Sequence, residues 1–153
     1  MDIFSKEMLF AGGGAWVRPN LTANGTLGGN AFAVMSSINR GDEYKAVDGS
    51  SSTYAILTRY SYFTFYNPTP LKVTQLVALY TSSSYYGRVT DVLVSNNNST
   101  WTAISVSRSG STTETITLSN STYYKYYQIS FNRGSSSVSQ IRLAELQITA
   151  EEQ

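Results

Sequence analysis

Reactive side chains are scarce in this chain, and what is missing narrows the chemistry first. Its 153 residues include no histidine and no cysteine. That removes the commonest general base, the Ser-His-Asp triad, thiol nucleophiles, disulfides and nearly all protein zinc sites. The ten acidic residues are scattered, so no carboxylate pair is expected to run hydrolysis, and the chain reads as a non-enzyme. What remains is an oxygen-rich stretch, Ala46-Val47-Asp48-Gly49-Ser50-Ser51-Ser52-Thr53. Asp-Gly followed by hydroxyl residues is turn chemistry, because Asp bonds its own backbone and Gly accepts a positive φ. The same atoms offer a hard cation a carboxylate, hydroxyls and exposed carbonyls. Glu145 is a lone acid in an otherwise apolar segment, and if buried it needs a partner such as Arg142 or Lys45, or a cation.

The elements that position these groups read as strands. From Trp16 onward, short runs are bounded by Gly, Asn, Ser and Pro clusters at fairly regular spacing. Strands are expected over Asn30–Ser36, Ser61–Tyr66, Lys72–Tyr80, Val89–Ser95, Trp101–Val106, Glu114–Leu118, Lys125–Phe131 and Ile141–Thr149. Tyr127, Ile129 and Phe131 alternate with polar neighbours, the period of a strand with one buried face. Lys72–Tyr80 turns apolar on both parities from Leu76, which predicts a central strand. The apolar phase of the last strand slips at Ala144-Glu145, which predicts a bulge. Many short strands without a helical stripe specify an all-β sandwich or barrel. Residues 1–15 are set apart as an arm or leader, either loose or a docking peptide, and 16–153 as one β-sandwich domain.

A formal net charge of +1 with 14% charged residues gives no field to steer nucleic acid or an anionic membrane. No apolar run is long enough to span a bilayer, and the N-terminus lacks a basic-then-apolar signal pattern. Export is expected to depend on lysis, a carrier assembly or a leader outside this sequence. Twelve tyrosines and two tryptophans among abundant Ser, Thr and Asn favour strands and polar contact surfaces. Arg40-Gly41-Asp42 is read as a loop rather than an adhesive tripeptide, and the N-x-S/T patterns as a consequence of composition.

Five segments in order carry a resemblance: KAVDGSSSTY, YFTFYNPTPLKVTQLVALY, TDVLVSNNNSTWTAI, YYKYYQISF and IRLAELQI. Together they resemble the discoidin or coagulation-factor type C domain family, which includes the family 32 carbohydrate-binding modules. The likeness spans about Asn30 to Thr149. It implies a galactose-binding-domain-like jelly-roll β-sandwich of about eight strands. Asn96-Asn97-Asn98 stands where the family has Asp-Gly, and Tyr54 where it often has tryptophan. The missing end-to-end disulfide points away from animal membrane binding and towards a microbial or viral lectin-like member. AWVRPNLTANGT looks like modules on bacteriophage tail and fibre proteins.

The resemblance also implies sites. Asp48, Thr53 and Glu145 are expected to converge on a structural calcium, helped by carbonyls near Lys45, Ser51 and Ala144. Sugars are expected at loops at one end of the sandwich. Tyr85, Tyr86 and Arg88 form the leading candidate there, with Tyr60 beside Arg59, and Arg133 beside Asn132, lining the same end. A tyrosine face stacks on sugar C–H bonds, and Arg presents planar paired donors. No histidine contact exists, so galactose specificity does not transfer. The expected function is a non-catalytic carbohydrate-binding or adhesion module for cell-surface glycans, extracellular or on a phage virion, with or without homo-oligomers. The alternative is a decoration subunit whose tyrosine surface packs against other virion chains.

Overall fold

Alternating apolar and polar residues put one dry face on most strands, and two such faces must meet. A computed structural model describes residues 20–153. The arm expected over 1–15, and the domain's first residues as far as 19, lie outside the described residues. Nine strands form among the described residues: β1 (Ala33–Ser36), β2 (Ala55–Leu57), β3 (Ser61–Tyr80), β4 (Gly87–Ser95), β5 (Thr102–Ile104), β6 (Val106–Gly110), β7 (Thr113–Leu118), β8 (Tyr124–Arg133) and β9 (Ile141–Glu152). A 3-10 helix, Glu43–Val47, lies between β1 and β2. All pairings are antiparallel.

Two layers follow from the pairings. One is β1, the first half of β3, β8, β4 and β5. The other is β2, β9, the second half of β3, β7 and β6. Phe63, Phe65, Tyr127, Ile129 and Phe131 of the first face Leu71, Leu76, Ile116, Ile141, Leu143 and Ile148 of the second in one core. Tyr127, Ile129 and Phe131 are 0%, 0% and 1% exposed, which is the alternation read from the sequence.

The expected strands Ser61–Tyr66 and Lys72–Tyr80 are one strand that changes layers. Its partner register jumps between Tyr66 and Leu71, across Asn67-Pro68-Thr69-Pro70. Two prolines without N–H groups cannot continue a ladder, so the strand leaves one sheet there and enters the other. Beyond the corner its second half is central, flanked by β7 and β9. Tyr127 closes the corner: its hydroxyl donates to the Leu71 carbonyl at 2.6 Å and accepts from the Val73 N–H and the Asn120 amide, each at 3.1 Å. Removing only that hydroxyl leaves buried backbone groups unpaired, at about 1–3 kcal/mol. Tyr127→Phe is therefore expected to lower the melting temperature by several degrees with an unchanged far-ultraviolet circular dichroism spectrum; an unaltered melting temperature would show that water replaces the hydroxyl.

The phase slip in β9 is a bulge. Leu79 pairs with Glu145 but Tyr80 pairs with Leu143, leaving Ala144 as the extra residue. It keeps both Ile141/Leu143 and Leu146/Ile148 in the core despite their opposite parity. As a consequence, Arg142 and Glu145 both stand on the outer side of β9, and the candidate site is built around them.

Candidate functional site

The bulge puts Glu145 against the Asp48 turn. Asp48 caps that turn by accepting the Ser50 N–H at 2.9 Å, and its second oxygen accepts the Thr53 hydroxyl proton. Gly49, at φ 80°, supplies the left-handed corner. Glu145 titrates at about 7, raised by burial and then by the Asp48 charge, although the Gly49 N–H bonds its carboxylate. Among the described residues Glu145 forms no ion pair. The expected pairing with Arg142 or Lys45 is not made. The sequence-predicted trio Asp48, Thr53 and Glu145 is thus brought together, with two like charges facing one another.

Arg142 turns elsewhere. Its guanidinium carbon lies 5.0 Å from the Tyr54 ring centroid and 3.7 Å from that of Tyr85. Its Nε donates to the Gln140 side-chain oxygen at 2.8 Å, and its terminal nitrogens bond no other described residue. The Arg142 N–H donates to the Tyr85 carbonyl at 2.9 Å, and the Thr81 N–H to the Arg142 carbonyl at 3.1 Å. The loop from 81 to 86 is therefore stitched to β9, and Tyr85 is fixed above the cation. A guanidinium stacked between two rings keeps its in-plane donors pointed outward, where they match paired hydroxyls or a carboxylate.

The other expected ligand residues scatter. Tyr86 does not share a platform with Tyr85. Its ring turns inward, half-buried against the core, and lies so close over Gly134 that a Cβ there would fall 2.2 Å from it. The expectation that Tyr86 is a free stacking face is corrected by that packing. Arg88 is exposed on β4 opposite Asn132, and Arg133 sits opposite Gly87. Among the described residues the Arg133 guanidinium bonds only the Ser136 carbonyl, at 3.4 Å. Tyr60 is 71% exposed at φ 62°, with the Arg59 guanidinium carbon 4.8 Å from its ring centroid. By register, Ser61 pairs with Phe131 and Val89 with Phe131. Tyr60, Arg88 and Arg133 therefore do occupy one end of the sandwich, the end that carries Tyr85. Sequence reasoning missed Tyr54, Gln140 and Arg142 as a unit; the only signal was an arginine two residues before the bulge.

No protein-family model matches this sequence, and no curated protein matches it. Solved structures do match its fold, and they define it as a discoidin-like β-sandwich of the kind found in family 32 carbohydrate-binding modules. One is the family 32 module of AlyQ in complex with 4,5-unsaturated mannuronic acid: TM-score 0.60, 21% identity, 76% of this chain and 92% of that one. Another is a pectin-binding carbohydrate-binding module: TM-score 0.59, 15% identity, 76% and 88% covered. A third is the family 32 module of NanJ from C. perfringens in complex with galactose: TM-score 0.57, 16% identity, 76% and 92% covered.

Proposed function

We propose that this chain is a non-catalytic carbohydrate-binding module that holds glycan at the loop end through Tyr85, Arg142 and Tyr54, with Tyr60, Arg88 and Arg133 at its rim. The Arg142 guanidinium stacked between two tyrosines carries this reading, because it fixes planar donors beside aromatic faces. The sugar complexes of the fold relatives support it. Tyr86 braces the loop from inside. Binding at one such shallow site is weak, so display in several copies, on a virion or another carrier, would supply avidity. A glycan array read with and without calcium tests the proposal: retention of a defined glycan class supports it, and no retention across acidic and neutral glycans sinks it.

The second part of the proposal is a structural calcium. Calcium takes about six to eight oxygens, and among the described residues no group of three acids converges. The donors present fit a two-carboxylate site: Asp48 and Glu145 supply charge, and the Thr53 hydroxyl and nearby carbonyls complete it. A cation there would offset both the burial and the smaller Asp48 repulsion that raise Glu145. The pH dependence follows. Because folding raises the Glu145 carboxyl from the ordinary glutamate range to about 7, its favourable contribution is whole below that range and lost as pH rises to about 7. The metal-free protein should therefore melt lower at pH 8 than at pH 5 as far as this group is concerned. Calcium binds the ionised pair, so it should stabilise at pH 8 and hardly at pH 5. At a hundredfold excess over its dissociation constant it adds about 2.7 kcal/mol, or roughly 5–10 °C for a domain of this size. Melting curves with calcium or chelator at both pH values check this; an equal shift at both, or one surviving in Asp48→Ala, would refute it.

A further inference from the structure

The outer face of the first layer carries a second cleft, floored by strand residues and not by the loops of Tyr60 and Tyr85. Met35, Thr64 and Gln128 are cross-strand partners on β1, β3 and β8 and form a continuous row. Beside that row, Tyr66 and Tyr126 pack at 4.8 Å between centroids and are covered by Leu27 and by Trp101, whose ring meets Tyr126 edge-on at 6.4 Å. The step from the covered row to the open one makes a cleft of about 420 Å³, walled by Trp101 and Asn98 on one side and by Tyr62 on the other. Its volume is that of ordinary ligand clefts.

We infer that this cleft is a second saccharide site, selective for neutral glycan chains and independent of the loop-end site. Three observations carry the inference. First, among the described residues no charged side chain lines the cleft, so none of them favours an anion there, whereas the loop end presents Arg142. Second, hydrogen-bonding groups stand open along it: the Tyr62 hydroxyl, the Asn98 and Gln128 amides and the Trp101 indole N–H bond no other described residue. Amides that both donate and accept, set beside aromatic faces, match a sugar ring's mixture of hydroxyls and C–H surfaces. Third, the wall is rigid before any ligand arrives. The Ser95 hydroxyl accepts the Asn97 and Asn98 N–H groups at 3.1 and 3.0 Å, and the Asn97 side-chain oxygen accepts those of Ser99 and Thr100 at 2.9 and 2.8 Å. Asn98, at φ 57°, holds the left-handed corner that aims its amide. A wall ordered in advance costs little further entropy on binding.

The test is a nuclear magnetic resonance titration of the full chain with neutral oligosaccharides (maltohexaose, cellohexaose, mannohexaose, chitohexaose), set against oligogalacturonate. The signals read are the Trp101 indole N–H, assigned with Trp16→Phe, and the Asn98 and Gln128 side-chain amides. At least one neutral oligosaccharide should move all three. The response should weaken tenfold or more in Tyr62→Ala, which removes a side chain already 40% exposed, and in Gln128→Ala. It should persist in Arg142→Ala. Three results would overturn the inference: no neutral oligosaccharide moves the signals, oligogalacturonate moves them equally, or the response survives both cleft variants. Since Arg142→Ala disables only the loop end, failure of either site is seen separately from the other.

Discussion

Arg142→Ala should abolish glycan retention at the loop end while leaving the sandwich folded. The two effects separate because their magnitudes differ. In stability, the substitution loses two cation–π contacts at a half-exposed position, each worth about 0.5–1 kcal/mol, so the melting temperature should fall by only a few degrees. In binding, it removes the one guanidinium held between Tyr54 and Tyr85, and losing a central anchor costs about 2 kcal/mol or more. For a weak single site, that is loss to background. Arg142→Lys makes the test sharper. Lysine keeps the charge but has neither a planar fork nor a face to stack on the rings. If shape and paired donors matter, the lysine variant should bind nearly as poorly as the alanine variant. Recovery of most binding in Arg142→Lys would mean that the site reads charge alone. Unchanged retention in Arg142→Ala would remove the site from this end of the molecule. Tyr85→Phe should bind like wild type, since the stacking face remains.

The position of that arginine shows what a sequence can and cannot carry. Alternation in Tyr127, Ile129 and Phe131 and the slip at Ala144 are local patterns, and the folded strands reproduce both. Asn96-Asn97-Asn98, which stands where the family has Asp-Gly, is local too: Asn tolerates the left-handed conformation, and Asn98 adopts it at φ 57°. The three residues of β2 are too few to show a period in the sequence. The prolines of β3 read as a loop because a corner between sheets and a turn use the same residues. In the sequence Arg142 stands, like Lys45, only as one possible partner of Glu145 beside a cation. The bulge sets Arg142 and Glu145 on the outer side of β9, yet the arginine goes to two rings from loops distant in sequence. Only tertiary packing says which loop lies over a strand. The same holds for Tyr85 and Tyr86: neighbours in an extended segment point opposite ways, but nothing local says which of the two meets Gly134.

A large stability effect is expected from Glu43. It is 0% exposed, and its carboxylate accepts from the Asn24 amide at 2.7 Å, the Ser36 hydroxyl at 2.5 Å, the Arg40 N–H at 2.9 Å and the Gly41 N–H at 3.0 Å. Burial alone would raise its carboxyl, but the Ser36, Asn24 and backbone hydrogen bonds outweigh it, and the group titrates below the ordinary range. One side chain thus ties β1, the start of the 3-10 helix and the Arg40-Gly41-Asp42 turn, whose Arg40 and Asp42 pair with each other at 3.4 Å. That turn is a structural clamp with its charges turned on one another, as its reading as a loop requires. Glu43→Ala leaves the buried Ser36 hydroxyl and three part-buried donors without their acceptor, which should cost about 3 kcal/mol, or roughly 6–12 °C in melting temperature. Glu43→Gln keeps the volume but sets an NH2 against donors, and should lose about half as much. The pH profile separates this carboxylate from Glu145. A lowered carboxyl contributes in full above the ordinary glutamate range and loses that contribution as pH falls through its folded value. Acid should therefore destabilise wild type more steeply than Glu43→Gln, whereas Glu145 acts in the opposite sense at higher pH. Parallel acid-unfolding curves for wild type and Glu43→Gln would show that this carboxylate is not ionised in the folded protein, and that the clamp holds without its charge.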